Sequence, residues 1–223
     1  MSRAPLKAVL FDLDGTLLDS APDLYEALTR LCADTGRETP SYSTAKQGVS
    51  RGVVGIFEES FGITPEFDEF EELRQRYLEH YVDCLGLSSA LFEGLPALLK
   101  DLESRSIPWG VVTSKMFQYA EPLVSNNPDT QGCSVLIGGD CVQPGKPHPA
   151  PVEEACRRLG LAPNETVYIG DALKDIHSGK DAGCQTIAAG WGYLRDGDDI
   201  TAWPADHHLD DSRALHKLLD SLL

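Results

Sequence analysis

Asp12 and Asp14 are separated by one residue and follow directly on the apolar run Ala8 to Phe11, with Gly15 and Thr16 next in the chain. In a regular strand, side chains two apart point the same way, so this pair concentrates like charge unless something positive shares the site. A divalent cation would relieve it, and hard carboxylate oxygens favour magnesium. Gly15 allows the backbone to turn sharply and approach a phosphate. The competing reading is a turn whose aspartates cap a helix. Three later segments bear on the choice. Val111-Val112-Thr113-Ser114-Lys115 offers a hydroxyl and backbone N–H groups where a phosphate oxygen could be held. Gly145-Lys146-Pro147-His148-Pro149 stiffens a loop around one lysine. Gly170-Asp171-Ala172-Leu173-Lys174-Asp175 is a Gly-Asp turn with a second carboxylate one helical turn on. Each segment alone is weak, since a loop lysine is usually a surface charge and Gly-Asp usually a helix start.

The elements that must position these residues are legible as short apolar runs at Ala8 to Phe11, Trp109 to Val112, Val135 to Ile137, Val167 to Ile169 and Thr186 to Ala189. Helical spacing falls between them, in Leu95, Leu98, Leu99 and Leu102, and in Val152, Ala155, Cys156 and Leu159 before Gly160. Strand and helix alternating in this way predict an α/β fold with a doubly wound parallel sheet. The stretch from about Ser20 to Leu91 breaks the pattern and reads as a helical insert. Ser20-Ala21-Pro22-Asp23 has the form of a capping box, Leu24, Leu28 and Leu31 line one face, and a further helix is expected over Phe70 to Val82. The acidic run Glu66 to Glu72 lies on or near its first turn and reads as a solvated face. Within the insert, Arg51 in Lys46-Gln47-Gly48-Val49-Ser50-Arg51-Gly52 is placed to reach a substrate carboxylate, or else to be a solvated arginine at a helix start.

Taken in order and at strand ends, the four segments resemble the four motifs of the haloacid dehalogenase superfamily, specifically its phosphatase members of the phosphoglycolate phosphatase type. The resemblance implies a Rossmann-like core of residues 1–18 and 91–223 with a helical cap at 19–90 that governs substrate choice. It implies that Asp12 is a nucleophile forming an aspartyl phosphate, that Asp14 is the acid and base, and that Thr113 and Lys146 bind phosphoryl oxygens. Gly15, Thr16, Ser114 and Arg51 become substrate-binding residues on the same ground. Magnesium would be held by Asp12, the backbone carbonyl of Asp14 and Asp171, with Asp175 in support. Ser114 departs from the asparagine frequent there. Asp14 separates the chain from the dehalogenases themselves, which lack an acid at that position, because an alkoxide leaving group needs a proton and a halide does not. FEELRQRYLEHY, LFEGLPALL, WGVVTSK and Trp191-Gly192-Tyr193 are similar to the branch acting on N-acetylmuramic acid 6-phosphate, with 2-phosphoglycolate the second expectation. A phosphosugar mutase would share all four motifs, and a phosphorylation-sensing module could use Asp12 alone.

Composition limits the partners. With 19 basic and 35 acidic residues in 223, the formal charge of -16 opposes an extended polyanion, so nucleic acid is not an expected partner, whereas a small phosphorylated metabolite is. The six cysteines are scattered without zinc-ligand spacing and read as reduced, mostly buried thiols. The apolar run before Asp12 is too short for a membrane span or signal segment, which makes the cytoplasm the expected compartment. A monomer or homodimer is expected. His207 and His208 read as an ordinary exposed turn or edge.

Overall fold

In the computed structural model, which describes residues 5–223, β1 (Ala8–Phe11) has every residue buried. It pairs in parallel with β4 (Trp109–Val112), Val9 facing Trp109, and on its other side with β6 (Thr166–Gly170), Val9 facing Val167. Beyond these lie β5 (Val135–Ile137), β7 (Gln185–Ala189) and β8 (His207–Leu209), giving the parallel order β5-β4-β1-β6-β7-β8. The five apolar runs fall where their patterning places them. β8 is the exception, an edge strand in which both histidines are half-buried rather than exposed; His207 bonds to Gln185 and His208 to the carbonyl of Trp203.

Alternation along each strand sends side chains to two cores. Val9, Phe11, Val111 and Ile169 pack with α5 (Leu95–Ser104), α6 (Phe117–Ser125) and α9 (Leu215–Leu222). Leu10, Val112 and Tyr168 pack the other way, with Val152, Ala155 and Cys156 of α7 (Ala150–Leu159). Ile176 of α8 (Leu173–Ala182) buries against Ala188 and Ile200. α7 ends, as its sequence predicts, at Gly160 in the left-handed conformation, φ 71°.

The helical insert has a core of its own. α1 (Ala21–Thr35), α2 (Tyr42–Gly48), α3 (Gly52–Phe61) and α4 (Phe70–Cys84) enclose Leu24, Leu28, Leu31, Ile56, Phe57, Leu73, Tyr77 and Tyr81. A single 3₁₀ turn, Val49–Arg51, joins α2 to α3. Those two helices cross with backbones nearly touching: a Cβ on Gly48 would lie 2.3 Å from the Gly55 carbonyl oxygen. The chain enters the insert through β2 (Leu18–Asp19) and leaves through β3 (Ala90–Leu91), an antiparallel pair with Leu18 facing Leu91. Two residues per strand carry no periodicity, which is why the sequence did not announce them.

The expected capping box at Ser20 is not formed. Ser20 precedes α1 without a side-chain cap; its hydroxyl donates to Asp14 instead. Asp23 accepts from the Gly86 backbone N–H (2.9 Å), the Ser88 N–H (2.7 Å) and the Ser89 hydroxyl, so both residues are spent tying α1 to neighbouring loops. The acidic run is exposed as expected, and Arg37 donates to Glu69 at 2.7 Å. Four of the six cysteines are buried and all six are free thiols, with Cys141 exposed.

Candidate active site

Because β4, β1 and β6 are adjacent and parallel, the residues that follow them emerge side by side. Asp12 follows β1, Thr113 follows β4 and Asp171 follows β6, at the edge where open α/β sheets bind ligands. Lys146 reaches in from the loop between β5 and α7. Its side chain is 1% exposed, and Nζ donates to Asp12 Oδ1 (2.9 Å), Asp175 Oδ1 (2.6 Å), the Val112 carbonyl (3.1 Å) and Tyr168 Oη (2.9 Å). Burial alone would lower this amine's pKa; the charges of Asp12 and Asp175 outweigh burial and hold it well above its ordinary value.

Oxygens of Asp12, Asp171 and Asp175 lie within 4.8 Å of one another, and all three residues are buried. Asp171 is fixed by the Tyr193 N–H to Oδ2 (2.7 Å) and by Thr16 Oγ1 to Oδ1 (3.2 Å). Burial, and then the neighbouring charges of Asp12 and Asp175, push its carboxyl up to about 8. Gly15, at φ 85°, is needed here: a Cβ would stand 2.1 Å from Asp171 Oδ2. Asp175, at the third position of α8, turns Oδ2 back to accept from the Ala172 N–H at 3.0 Å.

Asp14 differs from the expectation of one shared cation. β1 ends at Phe11, the chain turns, and the two aspartates take separate partners. Lys146 serves Asp12, whereas Lys115 Nζ donates to both oxygens of Asp14 at 3.0 Å each. Lys115 is itself buried and sits 4.9 Å from the ring centroid of Tyr81, a residue of the insert. Lys115 and Tyr168 are functional neighbours that sequence reasoning passed over; a lysine after a Thr-Ser pair and an aromatic inside a strand look like surface and core.

Thr113 is buried beside this cluster, but two of the N–H groups expected to be available there are engaged. Its own N–H donates to the Ile137 carbonyl (2.9 Å), and the Lys115 N–H donates to Thr113 Oγ1 (3.2 Å). Ser114 is exposed at the cleft. Arg51 also lines the cleft, yet its guanidinium is bound to Glu58 and Glu59 of the following helix α3, so it is neither freely solvated nor free to grip a substrate in this arrangement.

Above these residues lies a cavity of about 270 Å³ between sheet edge and insert. Asp12, Asp14, Thr113, Ser114, Lys115 and Asp171 form its polar floor; Leu24, Val49, Val53, Tyr77, Leu78 and Tyr81 form an apolar wall, and Arg51, Arg74 and Lys174 add positive charge. Lys174 Nζ donates to the Ser50 carbonyl at 2.8 Å, joining α8 to the insert.

The sequence profile of the haloacid dehalogenase-like hydrolase family matches residues 9–189, a span that runs from β1 to β7. The chain is a haloacid dehalogenase-like hydrolase. It is 39% identical over 218 residues to an N-acetylmuramic acid 6-phosphate phosphatase of Pseudomonas putida, covering 98% of each chain. Against a phosphoglycolate phosphatase of Xanthomonas campestris the identity is 37% over 200 residues, 90% of each. The crystal structure of a predicted phosphoglycolate phosphatase from Haemophilus somnus superposes with a TM-score of 0.85 at 24% identity, covering 98% of this chain and 100% of that one, which shows the shared fold. With named phosphatases related over nearly its whole length, this haloacid dehalogenase-like hydrolase is a phosphatase. Among its described residues no helix is long and apolar enough to cross a membrane.

Proposed function

We propose that the chain is a magnesium-dependent phosphomonoester hydrolase that works through phosphorylated Asp12, with residues 19–90 as the cap that selects the substrate. The observation that carries this reading is the buried cluster of Asp12, Asp171 and Asp175 around Lys146 at one sheet edge. Lys146 is bonded to two of the three carboxylates, and burial, with the charges of Asp12 and Asp175 after it, raises the third, Asp171. A divalent cation would offset those charges, the donor set is oxygen only, and the glycine at position 15 leaves the approach to Asp171 clear, so the residues fit magnesium. Asp12, Asp171 and the Asp14 carbonyl would hold it, and once bound it would neutralise phosphoryl charge in the transition state.

The chain's own residues supply the rest. The Asp12 carboxylate attacks phosphorus in line and breaks the ester bond. Lys146 keeps it oriented and, with Thr113, takes up charge on the phosphoryl oxygens. Asp14 gives a proton to the leaving alkoxide and then takes one from the water that hydrolyses the aspartyl phosphate. Closure of the cap excludes bulk water.

N-acetylmuramic acid 6-phosphate is the proposed substrate and 2-phosphoglycolate the second. The likeness to the Pseudomonas putida phosphatase supports this order, as does a cavity whose volume approaches the roughly 300 Å³ lower range of sites for larger ligands. Release of inorganic phosphate from both esters, compared by kcat/KM, tests it; a higher value for 2-phosphoglycolate reverses the order, and phosphate retained on the sugar would identify a mutase. Chelation should abolish release and magnesium should restore it better than calcium, whose larger shell misplaces the phosphorus. Equal rescue by both ions would contradict the metal assignment.

A further inference from the structure

Four tyrosines are buried almost completely: Tyr77, Tyr81, Tyr168 and Tyr193. Three of them have their hydroxyls satisfied. Tyr77 Oη donates to the Leu24 carbonyl (3.0 Å), Tyr168 Oη to the Val112 carbonyl (2.8 Å) and Tyr193 Oη to Asp19 Oδ1 (2.7 Å). Tyr81, 2% exposed, is different: its Oη has no hydrogen-bond partner, and it lines the cavity over Asp12 and Asp14. A buried hydroxyl without a partner is costly, so a site in which one persists is usually completed by something the bare fold does not contain.

The surroundings specify what completes it. Tyr81 is held on three sides, by Tyr77 stacked at 6.4 Å, by Tyr119 edge-on at 5.7 Å and by Lys115 at 4.9 Å from the ring centroid. Lys115 spends two of its N–H groups on Asp14, and beside Tyr81 an ammonium can only donate, so it offers the phenol proton no acceptor. Burial pushes the phenol up to about 12, so near neutral pH it keeps its proton and acts as a donor. Asp14 lies directly beyond Lys115, and Asp14 is the residue proposed to protonate the ester oxygen. The ligand atoms nearest Tyr81 are therefore those of the leaving group just past that oxygen, not those of the phosphoryl group at Asp12.

We infer that Tyr81 is a specificity-determining residue whose hydroxyl donates a hydrogen bond to an oxygen on the carbon next to the phosphorylated carbon. The ligand class is a phosphomonoester with a vicinal oxygen acceptor, in place of a simple alkyl phosphate. This rests on the phosphatase reading above and deepens it. The ring oxygen of a hexose 6-phosphate and the carboxylate of 2-phosphoglycolate both occupy that position, so the inference holds for either substrate.

The test uses 2-hydroxyethyl phosphate and n-propyl phosphate, which differ only in a terminal hydroxyl replaced by a methyl group. Hydrolysis is followed as inorganic phosphate with magnesium, for the wild-type chain and for Tyr81→Phe, which keeps the stack and the lysine contact. The wild type should favour the hydroxyethyl ester by about tenfold in kcat/KM, and Tyr81→Phe should reduce that preference to about twofold or less. Equal rates on the two esters in the wild type overturn the inference without recourse to any variant. An undiminished preference in a Tyr81→Phe protein of unchanged melting temperature overturns it too, and in both cases the phosphatase reading stands. If the wild type releases phosphate from neither ester, nor from N-acetylmuramic acid 6-phosphate or 2-phosphoglycolate, the phosphatase reading fails and this inference with it; release from those two substrates but from neither test ester overturns the inference alone.

Discussion

Lys146 is the residue on which the site's electrostatics turn. Among the described residues it is the one ammonium bonded to Asp12 and Asp175, and all three side chains are removed from solvent. Replacing it with methionine would leave two buried carboxylates facing each other. Removing one partner of a buried pair costs far more than the pair itself contributes. Lys146→Met should therefore lose about 3 to 5 kcal/mol of stability in urea unfolding of the metal-free protein. A loss indistinguishable from zero would mean that the lysine is not the charge that balances this cluster. Asp171 supplies a second prediction. Folding raises its carboxyl from the ordinary 3.8 to about 8, so over that window the folded chain holds a proton that the unfolded chain has released. Stability of the metal-free protein must then fall as pH rises through the window. Melting temperature in a chelator should decline between those limits, and magnesium should reverse the decline, since cation and proton compete for the same oxygens. A melting temperature that climbs with pH in the chelator would contradict the burial of these charges together. Asp12, Asp14 and Asp171 could be singled out because each stands in a short motif just after an apolar run, and Lys146 because glycine and proline bracket it. Lys115 could not be, because only the tertiary fold brings it to Asp14, 101 positions away.

At the scale of elements, apolar periodicity located the strands that matter. β1, β4 and β5 coincide with their predicted runs, and β6 and β7 extend theirs by one or two residues. Those strands are buried on both faces, so their patterning is nearly continuous and hard to miss. β2, β3 and β8 were not seen because two or three residues are too few to make a pattern. The insert's helices were expected in outline, while Ser20 and Asp23 show where local rules give way to tertiary demand. Both could have capped α1; instead Ser20 serves Asp14, and Asp23 binds Gly86, Ser88 and Ser89. Asp23→Ala strips the loop before β3 of those three bonds and leaves two N–H donors to find water. Urea unfolding should register a loss of about 2 to 3 kcal/mol, within the range for hydrogen bonds to a charged group. If the loss is below about 0.5 kcal/mol, as for an ordinary surface substitution, Asp23 does not anchor that loop.

The whole molecule is a sheet edge bearing acids and a helical insert that closes over it. Two short strands join the parts, and contacts such as Lys174 to the Ser50 carbonyl and Gln47 Nε2 to Asp196 at 2.9 Å hold them together. The formal charge of -16 makes the surroundings of the cleft repulsive to polyanions, while Lys115, Lys146, Arg51, Arg74 and Lys174 gather positive charge in or beside it. That contrast suits a small dianion drawn into a pocket. In the proposed reaction all of it serves a single chemical event, the bond between an Asp12 oxygen and phosphorus. The most direct measurement is mass spectrometry of the chain acid-quenched during turnover of N-acetylmuramic acid 6-phosphate with magnesium. One phosphoryl group should be found on the peptide carrying Asp12, and it should be absent, together with steady-state phosphate release, in Asp12→Asn. Turnover that leaves Asp12 unmodified, accompanied by undiminished hydrolysis in Asp12→Asn, would contradict the account.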